Sequence, residues 1–182
     1  WGTATANTDV AIMDDEGNLL PQGEVGEIVY RGPNVMDGYL KNEQATEEAF
    51  EHGWFHSGDM GFFDEDHLLK FVDRKKHIIK TGGENVSSVK IENRLRSQEA
   101  VEDAVVVGLP HERWAEAVTA FVQTSEETSE DELIDFCADG LADFEVPKRI
   151  IQLEELPLTE TGKVQKHIIE DQYSDLYRDA DN

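Results

Sequence analysis

Short apolar segments separated by acidic turns dominate the first part of the chain. Strand-length apolar or alternating segments occur at residues 9–13, 27–30, 61–63 and 68–72. Turn-forming clusters at residues 14–18 and 64–66 separate them. A helical spacing occurs at residues 43–50, behind the potential capping side chain of Asn42. The pattern predicts a β-meander with one short helix.

Beyond residue 76 the pattern becomes mixed. Helical spacing is found at residues 89–98, at 130–141 and from Val164 onward, and strand-like runs at 104–109, 117–123 and 149–153. Ser129 and Glu132 have the spacing of a capping box. The predicted fold class is α+β, with a strand-rich part at residues 1–75. A small mixed α/β domain at residues 76–182 follows, with a central sheet flanked by helices.

Between these two parts lies a cluster of cations followed by two glycines, in the segment FVDRKKHIIKTGGE at residues 71–84. Gly82 and Gly83 allow positive φ or close approach to a ligand, and Ser87 and Ser88 offer N-cap oxygens for the next helix. Two interpretations remain open at this point. The segment is a hinge beside an anion site, or it is a β-hairpin with a solvated basic turn.

The charge of the chain limits its partners. There are 40 acidic and 16 Lys and Arg residues, a formal net charge of −24, and the acids are spread along the sequence. Such a surface repels phosphate backbones and anionic lipid, so we expect neither nucleic acid nor a membrane as a partner. Because molar salt shortens the screening length to about 3 Å, we also hypothesise a high-salt cytoplasm, as in halophiles.

Cysteine and histidine usage gives no sign of a disulfide or of a metal site. Cys137 is the single cysteine and occupies an apolar position of a predicted helix, which favours a small buried side chain. His52 and His56 are four residues apart, but the glycine-containing segment between them is not helical in pattern. We therefore predict no metal ligands. The absence of a signal peptide and of a long apolar run predicts a cytoplasmic protein.

Three separated motifs resemble one known family. They are WFHSGD at residues 54–59, VDRKKHIIKTGGENVSSVKIE at 72–92 and PLTETGKVQK at 157–166, with GEIVYRGPNVMDGYL at 26–40 as further support. In this order and spacing they resemble the adenylate-forming enzymes, which include acyl-CoA synthetases, luciferases and peptide-synthetase adenylation domains. GGENVSSVKIE and the later LPHERWAEAV are most similar to the acyl-CoA synthetase branch.

The resemblance implies a particular division of the molecule. In that family a large N-terminal domain holds ATP and the acid, and a small C-terminal domain rotates about a hinge between adenylation and thioester formation. Residues 1–75 would then be the end of the large domain, a remnant of its β-barrel subdomain. The phosphate loop and the Thr-Glu pair that holds Mg²⁺ would lie before Trp1, and we expect the fragment alone to be inactive.

The resemblance also implies roles for residues at the junction. Asp59 matches the family's ribose-binding aspartate, and a carboxylate can accept two hydroxyl hydrogen bonds. The alternative for Asp59 is an Asx turn within its polar segment. Arg74 matches a nucleotide-contacting arginine, whose planar fork suits ribose or phosphate oxygens. Lys76 stands at the family's hinge position, with an ordinary surface lysine as the alternative. Lys75 is interpreted as an ordinary surface lysine.

Lys163, in the segment Thr-Gly-Lys, is the catalytic candidate. Attack of a carboxylate on the α-phosphate brings two anions together, and a mobile ammonium that bridges them lowers the barrier. A rival interpretation, that the segment closes a P-loop, fails because position 157 is proline and position 164 is valine.

A further set of residues matches positions that contact CoA in the family: Gly82, Gly83, Glu84, Phe144 and Lys148. The three loop residues would line the pantetheine tunnel in the thioester conformation. Phe144 would stack on adenine and Lys148 would contact a CoA phosphate. The alternative for Phe144 is a place in the core. Glu145 departs from the basic residues often found at its position.

Together these features predict part of an ATP-dependent acyl-CoA synthetase. Its substrates would be ATP, CoA and a carboxylic acid, expected to be a fatty acid, with Mg²⁺ in the full enzyme. The missing large domain would be its protein partner. Two alternatives remain: a non-catalytic binding or regulatory module for CoA or a large domain, and an adenylation domain that loads a carrier protein.

Overall fold

The computed structural model describes residues 2–178, and these form two compact units. Unit 1 ends at Lys76, and unit 2 begins at His77. The predicted α+β fold class is confirmed, with a strand-rich first part and a mixed second part.

Unit 1 is built on a four-stranded antiparallel sheet in the order β1-β2-β3-β4. Side chains alternate between its faces, so Ile12 and the adjacent Met13 belong to different apolar clusters. The short helix begins as predicted, because the side chain of Asn42 accepts the Ala45 N–H. The elements are β1 (Asp9–Met13), β2 (Gly26–Arg31), α1 (Glu43–Ala49), β3 (Phe55–Phe63) and β4 (Leu69–Arg74).

The strand β3 is longer than the segment predicted at residues 61–63. Asp59, whose alternative interpretation was an Asx turn, and the preceding Gly58 both lie inside β3. Gly58 has φ +71, and the β3–β4 ladder shifts register between Met60 and Gly61. Glycine inside a strand therefore marks an irregularity of the ladder here, and not a chain reversal.

Unit 2 is a five-stranded sheet with three helices. Strands β6, β5, β8 and β7 follow one another as antiparallel neighbours, and β9 pairs in parallel with β8. The strands are β5 (Ile78–Thr81), β6 (Glu84–Ser87), β7 (Val101–His111), β8 (Ala115–Thr124) and β9 (Arg149–Gln152). The helices are α2 (Ser88–Arg96), α3 (Glu130–Ala138) and α4 (Lys166–Gln172).

Apolar clusters lie on both faces of the central β7–β8 hairpin. Val106 packs with α2 and α3 residues in one cluster, whereas Val105 and Val107 pack with Ile169 of α4 in another. This alternation along β7 is what a strand buried on both sides requires. The prediction of a central sheet flanked by helices is confirmed.

Local signals in unit 2 were mostly identified from the sequence. Ser87 caps α2, and the capping box of Ser129 and Glu132 begins α3. Gly82 and Gly83, with φ +61 and +90, form a two-residue turn, and the strand β6 that follows was not predicted. The last two helices are shorter than predicted, since α3 ends at Ala138 and α4 begins at Lys166.

Candidate functional site

In unit 1 the two predicted nucleotide contacts lie side by side. Asp59 and Arg74 are register partners on β3 and β4, and Arg74 Nε is 2.8 Å from Asp59 Oδ1. That oxygen is buried and receives no well-directed hydrogen bond from the described residues. The Asp59 backbone N–H donates to the Ser57 hydroxyl at 3.0 Å. Asp59 therefore pairs with Arg74 through a buried oxygen, and a ligand can reach only the 14% of its side chain that is exposed.

A buried carboxylate, which the sequence analysis missed, supports this pair. Glu27 accepts the Gly58 N–H at 2.9 Å and the Lys75 ammonium at 2.9 Å, and it lies 3.0 Å from His56 Nδ1. Burial opposes ionisation, but the hydrogen bonds from His56, Lys75 and Gly58 outweigh it and hold the pKa of Glu27 below its ordinary value. Glu27 thus connects β2 to the residue before Asp59 and to the residue after Arg74.

Lys75 is more than an ordinary surface lysine. Its ammonium bridges Glu27 and, at 2.8 Å, Asp15. Desolvation opposes the charge, but the hydrogen bonds to Asp15 and Glu27 outweigh it and raise the pKa of Lys75. The exposed Lys76 forms no ion pair within residues 2–178. The anchored Lys75 is therefore followed directly by the exposed Lys76.

The junction is not a β-hairpin. Lys75–His77 form a short 3₁₀ turn, and the strands on either side of it belong to different sheets. The interpretation as a hairpin with a solvated basic turn is therefore wrong. A pocket of about 390 Å³ lies at the end of unit 1, lined by Gly58, Arg74, Lys75 and Lys76. Its three cations suit an anionic ligand.

In unit 2, part of the predicted CoA set meets around Trp114, which the sequence analysis did not single out. The Gly82 N–H donates to the Trp114 carbonyl at 3.0 Å, and the Lys148 ammonium is 5.1 Å from the centre of the indole ring. The His111 ring stacks on the Trp114 indole, with 4.2 Å between the ring centres. An aromatic residue next to a glycine turn and a cation is a surface on which a base can stack.

The three other members of that set lie at the surface of unit 2. Gly83 and Glu84 are exposed at the end of the β5–β6 hairpin. Phe144 is 41% exposed, so the expectation of a core position for it is wrong. Glu145 is buried instead, and both its oxygens lie 2.6 Å from the Lys90 ammonium. Its departure from the family pattern therefore has a local structural partner.

Lys163 lies in an exposed loop before α4. Its N–H donates to the Thr159 hydroxyl at 3.0 Å, and its carbonyl accepts the Thr159 N–H at 2.8 Å. Gly162 has φ +79, which closes the turn between them. The backbone of the loop is therefore ordered while the Lys163 ammonium remains accessible.

Other potential chemistry is limited in the described part of the chain. Residues 2–178 contain no group of three or more His, Cys, Asp or Glu side chains placed to hold a metal ion. Cys137 is buried, and burial raises the pKa of its thiol to about 11, which disfavours a nucleophilic role. Within the same residues, no helix is long and apolar enough to span a bilayer.

Two family models match the chain. The AMP-binding enzyme C-terminal domain matches residues 90–163, and the AMP-binding enzyme family matches residues 1–40. The first match includes Trp114, Phe144, Lys148 and Lys163. The second lies within unit 1.

Curated relatives and solved structures agree with these matches. A 2-succinylbenzoate–CoA ligase of Bacillus mycoides is 43% identical over 152 residues, covering 84% of this chain and 32% of the ligase. ATP-bound MatB from Rhodopseudomonas palustris has a TM-score of 0.89 at 33% identity, covering 97% of this chain and 36% of that one.

Another similar solved structure contains a reaction intermediate. The o-succinylbenzoate CoA synthetase MenE of Bacillus subtilis, solved with its acyl-adenylate intermediate, has a TM-score of 0.84 at 32% identity. It covers 91% of this chain and 34% of that one. The chain spans about a third of the length of the curated relatives it matches. With both family models matched and CoA ligases among its relatives, this chain belongs to the adenylate-forming, AMP-binding enzyme family.

Proposed function

We propose that the chain is part of an ATP-dependent acyl-CoA synthetase. In the first step a carboxylate oxygen attacks the α-phosphate of ATP, giving acyl-AMP and pyrophosphate. In the second the CoA thiol attacks the acyl carbon, giving acyl-CoA and AMP. The observation that carries the proposal is the Asp59–Arg74 ion pair beside a pocket lined by three cations, in a chain whose relatives are CoA ligases.

Asp59 and Arg74 would bind the nucleotide in this reaction. The Asp59 carboxylate suits the hydroxyls of ribose, and the exposed part of the Arg74 guanidinium suits a ribose or phosphate oxygen. The adjacent pocket of about 390 Å³ would hold part of the nucleotide. Glu27 would keep the Asp59 and Arg74 strands in register.

Lys163 would act in the adenylation step. Its exposed ammonium can bridge the acid and the α-phosphate, and so reduce their repulsion as the new bond forms. Lys76 would be the hinge between adenylation and thioester formation. The change from anchored Lys75 to exposed Lys76 supports a joint that begins at this residue.

The CoA site would lie on unit 2. Gly82, Gly83 and Glu84 would line the path of the pantetheine arm, and Phe144 and Lys148 would contact the nucleotide end. Trp114, whose ring centre lies 5.1 Å from the Lys148 ammonium, would offer a stacking surface beside it. The exposure of Phe144 supports a ligand contact as well.

The remainder of the enzyme would supply what these residues lack. The Mg²⁺ ligands and the phosphate loop would belong to the large domain. A groove of about 670 Å³ on unit 1, lined by apolar residues such as Val10, Met36, Phe55 and Phe63, would pack against that domain. The isolated chain would then be inactive. A fatty acid is the first acid to assay, with 2-succinylbenzoate as comparison.

Lys163→Ala tests the proposal when the chain is combined with a matching large-domain fragment. We expect the rate of adenylation, measured as pyrophosphate release, to fall at least about 100-fold, because a transition-state charge contact is lost. Thioester formation from preformed acyl-AMP should change far less. Lys70→Ala, at an exposed residue paired with Asp64, is the matched control. Equal losses in both half-reactions would contradict the role of Lys163.

The chain spans about a third of the length of its relatives. A second proposal is therefore that the isolated chain is a non-catalytic module that binds CoA or a large domain. Calorimetry with CoA and with ATP tests it, and turnover by the isolated chain would refute it. A carrier protein as the acyl acceptor is the third candidate. An assay of acyl transfer to CoA and to a carrier protein in parallel decides between these acceptors.

A further inference from the structure

The loop that carries Lys163 has an internal set of backbone hydrogen bonds. Thr159 and Lys163 bond to each other, and the Gln165 N–H donates to the Pro157 carbonyl at 2.8 Å. These bonds determine the shape of the loop. They do not determine its direction relative to the sheet of unit 2, because every partner belongs to the loop itself.

The ends of the loop are attached to unit 2. Leu156 before it and Ile169 after it are buried in the same apolar cluster. Apolar contacts hold the two ends close to the sheet but are not directional. A directional contact is supplied by Lys166, the first residue of α4 and the third residue after Lys163.

Three oxygen atoms surround the Lys166 ammonium, two as hydrogen-bond acceptors and one as an ion-pair partner. Its Nζ lies 2.7 Å from Ser88 Oγ, 2.8 Å from Glu92 Oε1 and 3.0 Å from the Val106 carbonyl. Ser88 and Glu92 belong to α2, and Val106 belongs to β7. The Lys166 side chain is only 16% exposed. The ammonium thus ties the start of α4 to two other elements of unit 2.

Glu92 is suited to this contact. Its side chain is 9% exposed, and Oε1 also accepts the Val106 N–H at 3.0 Å. Arg96 Nη1 lies 3.7 Å from its other oxygen. Removing one member of a buried, hydrogen-bonded ion pair leaves the other charge uncompensated. The start of α4 is therefore coupled to Glu92.

We propose that Lys166 is a positioning residue, held by Glu92, Ser88 and the Val106 carbonyl, that sets the direction of the loop carrying Lys163. Two lysines three positions apart then have separate tasks. The buried one fixes the loop, and the exposed one reaches the reactants. The link to catalysis rests on the proposed function, whereas the effect on the loop does not.

Amide hydrogen exchange in the isolated chain tests the effect on the loop. In Lys166→Met we expect the amides of Gly162, Lys163 and Gln165 to exchange at least about tenfold faster, because the loop loses its anchor. The amides of the β7–β8 hairpin should change less. Lys80→Met removes an exposed lysine of the same unit and serves as the matched control. Unchanged loop amides, or equal acceleration in loop and hairpin, would overturn the proposal.

A double variant tests the partner. Lys166→Met combined with Glu92→Gln should accelerate loop exchange no more than Lys166→Met alone, because both changes remove the same contact. Additive acceleration would show that Glu92 is not the anchor. The double variant leaves no uncompensated charge, so it also keeps the test available where the single variant fails to fold.

Kinetics separate positioning from general stability. In the reconstituted enzyme, Lys166→Met should lower the adenylation kcat by roughly 10- to 100-fold per folded molecule, since small misplacements are costly. A merely structural role would reduce the folded fraction and leave that rate unchanged, which would overturn the proposal. If Lys163→Ala leaves adenylation intact, the proposed function fails, but the exchange results still decide the role of Lys166 in the loop.

Discussion

Lys75 and Lys76 are adjacent lysines with different surroundings. Lys75 bridges Asp15 and the buried Glu27, whereas Lys76 is exposed. The sequence indicates a basic cluster but does not indicate which cation is anchored, because Glu27 lies 48 positions earlier. The same limitation applies to Trp114 and Lys148, which approach each other only in the folded sheet. Asp59 and Arg74, which match whole motifs, could each be predicted as a nucleotide contact, whereas their ion pair depends on the β3–β4 register.

Glu27→Gln should change how stability depends on pH. The folded pKa of Glu27 lies below its ordinary value of 4.5. The ionised carboxylate therefore stabilises the fold above that ordinary value, and this contribution is lost as pH falls through the lowered folded pKa. We expect the variant to lose about 1–3 kcal/mol of unfolding free energy at pH 7. Its stability should then fall less on acidification to pH 3.

Urea unfolding of both proteins between pH 7 and pH 3 measures this difference. Glu24→Gln, at an exposed position three residues earlier, removes the same charge and is the matched control. Parallel pH profiles for the wild type and Glu27→Gln would show that Glu27 is not the stabilising group.

Ala115→Gly should stabilise the chain. Ala115 is exposed and has φ +66, a left-handed conformation that costs a residue with a Cβ about 1–2 kcal/mol. Glycine relieves this strain and loses roughly 0.5–1 kcal/mol in chain entropy, so a net gain of about 0.5–1 kcal/mol is expected. Thermal and urea unfolding measure it. The control Ala117→Gly, at a buried position of β8, should destabilise, and a loss in both variants would contradict the strain argument.

At the scale of elements, local signals were sufficient where an element carries its own start signal. The side chains of Asn42, Ser87 and Ser129 identified three helix starts. Only residues 61–63 of β3 were predicted as a strand, because the glycine and aspartate before them disfavour strands and only pairing with β2 and β4 places them there. Strand β6 was missed because it exists through its pairing with β5.

Ser129→Ala should weaken α3. The Ser129 hydroxyl accepts the Glu132 N–H at 3.2 Å, and the Glu132 carboxylate accepts the Ser129 N–H at 2.8 Å. Loss of such a cap costs about 1 kcal/mol. Chemical unfolding followed by far-UV circular dichroism measures the change. Ser129→Asn retains a capping acceptor and should stay close to the wild type, so equal losses in the two variants would assign the effect to something other than the cap.

At the scale of the whole molecule, charge is the dominant feature. The net charge of −24 is spread over the sequence, so self-repulsion opposes the compact state at low salt. Unfolding free energy should rise with KCl, mostly below about 1 M, where the screening length has fallen to about 3 Å. Sucrose, which strengthens burial without screening charge, should raise stability less over the same range. Stability that is flat or falling with KCl would reject the high-salt hypothesis.

The apolar clusters of the described residues are each confined to one unit. In recombination between relatives, a crossover between Lys76 and His77 would therefore keep all residues of each of these clusters from the same parental sequence. A crossover inside the β7–β8 hairpin would instead divide both clusters of unit 2 between two parents. Gene shuffling within this family should therefore yield folded hybrids far more often at the first position than at the second.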